Sequence, residues 1–539
     1  MSGLSDNSTL VSLQEGAIGK LIVWGRHNPW VIAVTVMLAT FMEVLDTSIA
    51  NVALPTIAGN LSASYDESTW VLTSYLVSNA IVLPLTPWLS SVFGRKNFYM
   101  TCVVLFSVSS LLCGMAPTLQ MLVICRILQG VGGGALMPIS QAILIETFPP
   151  RKQGVAMAAF AMGALLAPVV GPALGGWITE NFSWRWCFLI NVPVGLLALG
   201  LTALLIFDPP YLPRVNLRES KVDLAGLGLV ATGLGFLQVV LDNGQKKDWF
   251  GDSGILAMTI FFSVCLIGAV FWEMYCKDPV VDLRLLAERN FAIATLTMFV
   301  VGIGVYGSMV LYPLYLQNLM GYSPTLAGLA ISPGGLALVL TMPFVGLALQ
   351  KMEARWLMVA GLLICALGLM MMSHFNLLQG AWTAIAAMCV FHIGEAMLFV
   401  PINAAAFAFV PKEKTNNGTG LMNLSRNIGG SVGIAMMTTI LARRAQFHQH
   451  RLVENISPLN TDYRTLLQQA GGLFYTKGSD PVLASHQALA ATYGLMQRQA
   501  TMMAFNDAFF VLGVIFLLLV PLLWMMRRSA PGVKVSGIH

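Results

Sequence analysis

Six ionisable side chains, Glu43, Asp46, Arg126, His392, Glu395 and Arg426, sit deep inside long apolar runs. Such groups are costly in a bilayer and mark functional sites by default. Glu43 and Asp46 are three residues apart and share a helix face. Asp46 lies about ten residues from the end of its run, roughly 15 Å, and Arg126 about seven residues from the end of its own, roughly 10 Å. These depths overlap, so antiparallel neighbours would bring Arg126 close to Asp46. Burial favours a neutral acid and a nearby arginine favours a charged one. An acid held between those two pulls can load a proton on one side and release it on the other. A permanent Asp–Arg clamp between helices is the other reading, and both stay open for Asp46 and for Glu43.

His392 and Glu395 also share a face, as a proton relay, a cation contact or a hydrogen-bonded helix contact. No HExxH and no second His/carboxylate pair faces them, so a metal and any other cofactor are not expected. Arg426 is expected near the end of its span, its side chain reaching for the surface. Asp242, Glu273 and Asp507 fall near span ends, within reach of water. Gly171-Pro172-Ala173-Leu174-Gly175-Gly176 allows close helix approach and bending, as at a pivot or a tight seam. No GxxxxGK[ST] pattern occurs, which leaves an ion or proton gradient as the energy source.

These groups need a membrane scaffold, and the composition supplies one. Of 539 residues, 56% are hydrophobic and 10% charged, against about 25% charged in a soluble domain. A soluble multidomain enzyme is excluded. A disordered or nucleic-acid-binding chain is excluded too, because the net charge of +5 is small and dispersed. The class is an all-α polytopic membrane protein embedded in a lipid bilayer. Spans of about 20 apolar residues are expected near 30–56, 69–93, 98–116, 119–145, 154–179, 186–207, 222–242, 254–276, 291–316, 325–350, 356–374, 381–408, 417–441 and 505–526. Fourteen spans put both termini on one side. Arg95, Lys96, Lys152, Arg284, Lys351, Arg355, Lys414 and Arg527 then share that side, while the short opposite loops hold Arg185, Lys246 and Lys247. The basic side is the cytoplasmic one, giving N-in and C-in. Residues 442–504 form a long outside segment, and an interfacial helix is expected at 10–24. The eight cysteines lie in or beside apolar runs and read as packing residues.

A weak internal repeat supports two bundles. Met137-Pro138-Ile139 and Val400-Pro401-Ile402 each precede a proline-and-lysine loop and then a span that opens on a glycine, Gly154 and Gly418. Repeats in the same orientation imply an axis along the membrane normal. The organisation expected is a segment 1–29, a six-helix bundle 30–207, a linker 208–290 with two extra helices, a second bundle 291–526 and a tail 527–539.

Leu45-Asp46-Thr47-Ser48-Ile49-Ala50-Asn51-Val52-Ala53-Leu54-Pro55 resembles the first-helix motif of the fourteen-helix drug:proton antiporters of the major facilitator superfamily. Arg126-Ile127-Leu128-Gln129-Gly130 is similar to the superfamily's fourth-helix motif, and the Gly171–Gly176 cluster resembles its antiporter motif. The resemblance runs over roughly 28–526. It implies the major facilitator fold, two six-helix bundles plus two inserted helices. It implies proton coupling at Asp46 and Arg126 and exchange at Gly171, Pro172, Gly175 and Gly176. Glu43 lies outside the family motif. In the loop after the second span, Ser91 stands where the family carries Asp, so an inside gate would rest on Arg95 and Lys96 with another acid, or on helix packing.

The expected function is a proton-driven inner-membrane exporter of amphiphilic or hydrophobic toxic compounds, working by alternating access. The alternative is export of one physiological solute such as a fatty acid, siderophore or metabolite. The resemblance further implies a tripartite pump, with a periplasmic adaptor (membrane fusion) protein and an outer-membrane channel of the TolC type. Residues 442–504 would dock that adaptor or cap the outer gate. A membrane-embedded enzyme finds little support in scattered histidines, and a sensor without transport is the remaining rival.

Overall fold

The computed structural model describes residues 28–528 except 64, 208–222, 277–278, 280, 323, 412–413, 455 and 458. The segment 1–27 with its expected helix at 10–24, most of the linker before the inserted helices, and the tail beyond 528 lie outside the described residues. Among the described residues there is no strand.

The helices start and stop where local chemistry says they should. α1 (Pro29–Asn60) opens with proline at its first position, and Asn28 Oδ1 accepts the Trp30 N–H at 3.0 Å. α2 (Trp70–Phe93) gives way to α3 (Arg95–Met115) through Gly94 alone, at φ +79°, a conformation that suits only glycine. The expected fourth span is two helices, α4 (Leu119–Gly133) and α5 (Leu136–Thr147). Its glycine run at 132–134 breaks the rod, and Pro138 fits the first turn of the next helix. α6 (Pro150–Asn181) and α7 (Asn191–Leu205) follow, and then the inserted pair α8 (Leu224–Asn243) and α9 (Ser253–Tyr275). Asp223 and Asp252 cap that pair through their side chains. The second half is α10 (Arg289–Leu314), α11 (Pro324–Ala348), α12 (Ala354–Met372), α13 (Ala381–Phe407), α14 (Thr415–Val453), α15 (Thr461–Thr476) and α16 (Pro481–Leu523).

Among the described residues thirteen spans are long and apolar enough to cross a membrane, one fewer than expected. α14 is the difference. It is helical across the expected 417–441 but carries Asn423, Ser425, Arg426 and Asn427. It is packed on α2, α10 and α16 rather than left to lipid, so its polarity is covered by protein.

α1 packs on α6 and α7, and α4 on α2 and α3; in the second half α12 packs on α13 and α16, and α14 on α10. The halves meet along two seams, α6 with α11 and α2 with α14. The inserted α8 lies on both α2 and α14, so the extra pair covers one seam. α9 packs on α8 and is otherwise largely exposed, as suits lipid contact.

The segment 442–504 is helical, where the sequence reading had only a long outside loop. α14 runs on to Val453, and α16 begins at Pro481. A helix the length of α16 measures about 64 Å, twice the roughly 30 Å hydrocarbon core. Its first half therefore projects from the membrane, with α15 packed along it. Apolar patterning of the transmembrane part gave no sign of this, because the projecting turns are polar and long.

Candidate functional site

α1 places Asp46 in the interior of the first bundle, and α4 delivers Arg126 to it. Arg126 Nη1 donates to Asp46 Oδ2 at 2.5 Å, and both side chains are sealed from solvent. Asp46 Oδ1 accepts two amides, Gln129 Nε2 at 2.9 Å and Asn191 Nδ2 at 2.7 Å. Both amides also donate to Ser110 Oγ, which passes its own proton to the Phe188 carbonyl at 2.8 Å. Arg126 is held by Nε on the Val71 carbonyl at 2.8 Å and lies over the Tyr75 ring at 4.3 Å. Leu45, Ile49, Val71, Leu122 and Phe188 close an apolar shell around the network. Asp46 faces three N–H donors, an arrangement that fits a carboxylate.

Glu43 sits one turn earlier on α1. Its Oε1 accepts Asn79 Nδ2 at 3.2 Å, and its Oε2 is buried with no partner. Two acids on one face thus differ: both oxygens of Asp46 are bonded, whereas Glu43 keeps one oxygen with no donor. Arg426 is near enough to act on Glu43 electrostatically, from the other half of the molecule.

Arg426 does not reach for the surface as the sequence reading expected. Its Nη2 lies 2.7 Å from the Met137 sulfur on α5, across the bundle interface. Two further bonds cross between the halves, Asn423 Nδ2 to Gln141 Oε1 at 2.7 Å and Asn427 Nδ2 to Asn79 Oδ1 at 3.5 Å. All three join α14 to α2 or α5.

His392 Nδ1 and Glu395 Oε2 are 2.8 Å apart on one turn of α13, with Glu395 buried. His392 Nε2 is buried without a partner, against Gly334 of α11. The pair lies in the second half, and none of its hydrogen bonds reaches the Asp46 network. Among the described residues no group of three or more His, Cys, Asp or Glu side chains gathers as a metal site would.

The α6 cluster presses on α1. A Cβ at Gly171 would overlap Ser48, and one at Gly175 would stand 3.2 Å from the Ile49 Cα. Gly176 has room, its nearest neighbour being Val52 Cγ1 at 4.0 Å. Pro172 continues the helix, and the Pro168 carbonyl, freed by a proline four residues on, accepts Ser48 Oγ at 3.4 Å.

Arg95 and Lys96 stand at the basic face. Arg95 is ion-paired to Glu146 at the end of α5, the acid that Ser91 does not supply. Lys96 Nζ donates to the Ala203 carbonyl at 2.6 Å and lies 5.0 Å from the Phe207 ring. These contacts hold the first bundle together rather than bridging the halves. An ion pair that does link separated elements here is Lys414 to Asp282 at 2.7 Å, from the loop before α14 to the segment after α9. Asp242 accepts Thr73 Oγ1 at 2.5 Å, and Asp507 pairs with Arg444 at 2.5 Å and His448 at 2.6 Å.

Sequence reasoning missed Gln129, Asn191 and Ser110, which complete the Asp46 network. It searched apolar runs for charge, whereas these are neutral. Uncharged amides inside a span are the signal that would have found them, since each must also be satisfied in hydrocarbon.

The Major Facilitator Superfamily model matches residues 36–434. The chain is 33% identical over 515 residues to the multidrug export protein EmrB of Escherichia coli (strain K12), covering 94% of this chain and 98% of that one. It is 35% identical over 509 residues to the fatty acid resistance protein FarB of Neisseria gonorrhoeae, covering 93% and 97%. Among solved structures, the proton:xylose symporter XylE bound to 6-bromo-6-deoxy-D-glucose superposes with a TM-score of 0.60 over 92% of this chain and 96% of that one, at 14% identity. That likeness carries the fold, and the two sequence relatives carry the branch. The chain is a multi-pass membrane transporter that belongs to the Major Facilitator Superfamily and resembles its EmrB-type export proteins.

Proposed function

We propose that this transporter exports amphiphilic toxic compounds from the cytoplasm across the bacterial inner membrane, in exchange for protons. The basic face is cytoplasmic, so both termini face the cytoplasm. The observation that carries the proposal is the sealed Asp46–Arg126 pair one helical turn from Glu43 and its open oxygen. A proton arriving at this face meets an acid that can take it with no bond broken first, Glu43. Protonating Asp46 would remove the charge that Arg126 pairs with, which ties its proton to a rearrangement of α4 or α7. The three hydrogen bonds between the halves lie in the first third of α14, the part that begins beside Lys414, which supports a conformer closed inward. Arg95, paired to Glu146, and Lys96 brace α3 at that gate. His392 and Glu395 serve as a second polar station in the C-terminal bundle.

The projection of α14, α15 and α16 is the docking element for a periplasmic adaptor, which would connect the pump to an outer-membrane channel of the TolC type. α15 has no buried residue and exposes Leu466, Leu473 and Tyr475, a face suited to a helical partner. Export of one fatty-acid-like solute is the second reading, favoured by the similarity to FarB. A growth panel of toxic compounds tests the export proposal. Cells carrying the protein should survive higher concentrations of several amphiphiles, and a protonophore should abolish the advantage. Unchanged sensitivity across the panel rejects it; protection against fatty acids alone selects the second reading.

A further inference from the structure

Arg126 and Arg426 lie within spans of opposite halves, and they differ in what they are bonded to. Arg126 uses Nε on a carbonyl, Nη1 on a carboxylate and an amide, and its face on an aromatic ring, and only its Nη2 is buried without a partner. Arg426 has a buried Nε with no partner, and its Nη2 meets only a thioether sulfur. A thioether is a weak acceptor, and a guanidinium offers five N–H donors in a rigid fork. Among the described residues no carboxylate lies within ion-pair distance of Arg426; Glu43 is the acid across the seam that acts on it at longer range.

The position is fixed, not frayed. Arg426 lies eleven residues into α14, about 17 Å by helical rise, too deep for the side chain to be a surface residue. Its backbone carbonyl packs against Gly302 of α10, where no larger residue fits, so the side chain is aimed by a tight helix seam. The residue is half-buried, with its Nε sealed, between Met137 of the first half and its own helix in the second. A half-buried fork with unmet donors, at the joint of two moving halves, is built for a planar anion.

We propose that Arg426 is the carboxylate-binding subsite of this transporter, which thereby favours anionic over neutral amphiphiles. The inference rests on the export reading and names a substrate class for it. A carboxylate held by Arg426 supplies the acceptors that Met137 does not. Because the ligand touches α14 while its neighbours belong to α5 and α1, its binding differs between arrangements of the halves, as alternating access requires.

The test is equilibrium binding to the full-length protein in nanodiscs, with decanoate and decanamide as probes at a pH where decanoate is ionised. The two share a tail and differ in the head. The wild type should bind decanoate at least tenfold more tightly than decanamide. Arg426→Gln should bring the ratio close to one, and Arg426→Lys, which keeps the charge and loses the fork, should leave it in between. Equal affinities in the wild type overturn the proposal, as does an undiminished preference in Arg426→Gln or, if that variant does not fold, in Arg426→Lys. A protein that binds decanamide without preference for decanoate keeps the export reading and loses this subsite. One that protects cells from no amphiphile loses both.

Discussion

Arg126 reaches 2.5 Å from Asp46 with neither side chain exposed, and Gln129 and Asn191 hold the second carboxylate oxygen. Breaking one partner of a buried pair strands the other, at about 3–5 kcal/mol. Asp46→Asn should therefore lower the melting temperature and abolish coupled transport. Asp46→Asn with Arg126→Gln should recover much of the stability without recovering transport. Active efflux in the stable double variant would reduce the network to a clamp.

Glu43 has one bonded oxygen and one open one. Glu43→Gln keeps an acceptor for Asn79 and removes the charge. It should leave the melting temperature within a few degrees of the wild type and cut proton-coupled efflux at least tenfold. Dye efflux from loaded cells and a thermal melt read the two effects; wild-type efflux would remove Glu43 from the coupling path.

The antiporter motif makes unequal demands on its glycines. Gly171→Ala sets a methyl group on Ser48, while Gly176→Ala meets nothing closer than Val52 at 4.0 Å. Overpacking costs about 1–3 kcal/mol, so Gly171→Ala should destabilise the protein and slow efflux, and Gly176→Ala should do neither. Equal behaviour of the two variants would deny that α6 is seated on α1 as described.

Much of this site was legible in the sequence, for identifiable reasons. Asp46 and Arg126 stood out because charge in an apolar run is rare, and helical rise alone put them at one depth. Glu395 and His392 stood out the same way; their spacing put them on one face, where they lie 2.8 Å apart. Arg426 was misplaced because distance from a span end says nothing of where a side chain turns; its seat on Met137 depends on how α14 packs across the interface. The span at 417–441 was read as apolar and is a helix carrying Asn423, Ser425, Arg426 and Asn427; that α2, α10 and α16 cover it is a tertiary fact that composition does not show. The α14–α16 projection was hidden for the same reason that loops are: polar turns carry no membrane pattern.

The projection gives its own expectation. Deleting residues 454–480 removes α15 and its exposed apolar face while leaving the transmembrane helices joined. Drug resistance of whole cells should fall at least fivefold, while transport into everted vesicles should stay within twofold of the wild type. Equal losses in both assays would make the projection a cap on the outer gate instead of a docking element.

The most direct test of proton exchange is a pH-sensitive dye inside everted vesicles that hold an acid interior. Adding a transported amphiphile should release protons and restore fluorescence in wild-type vesicles, and should do so neither with Glu43→Gln nor with Asp46→Asn. Accumulation of the amphiphile with no movement of protons would contradict the mechanism.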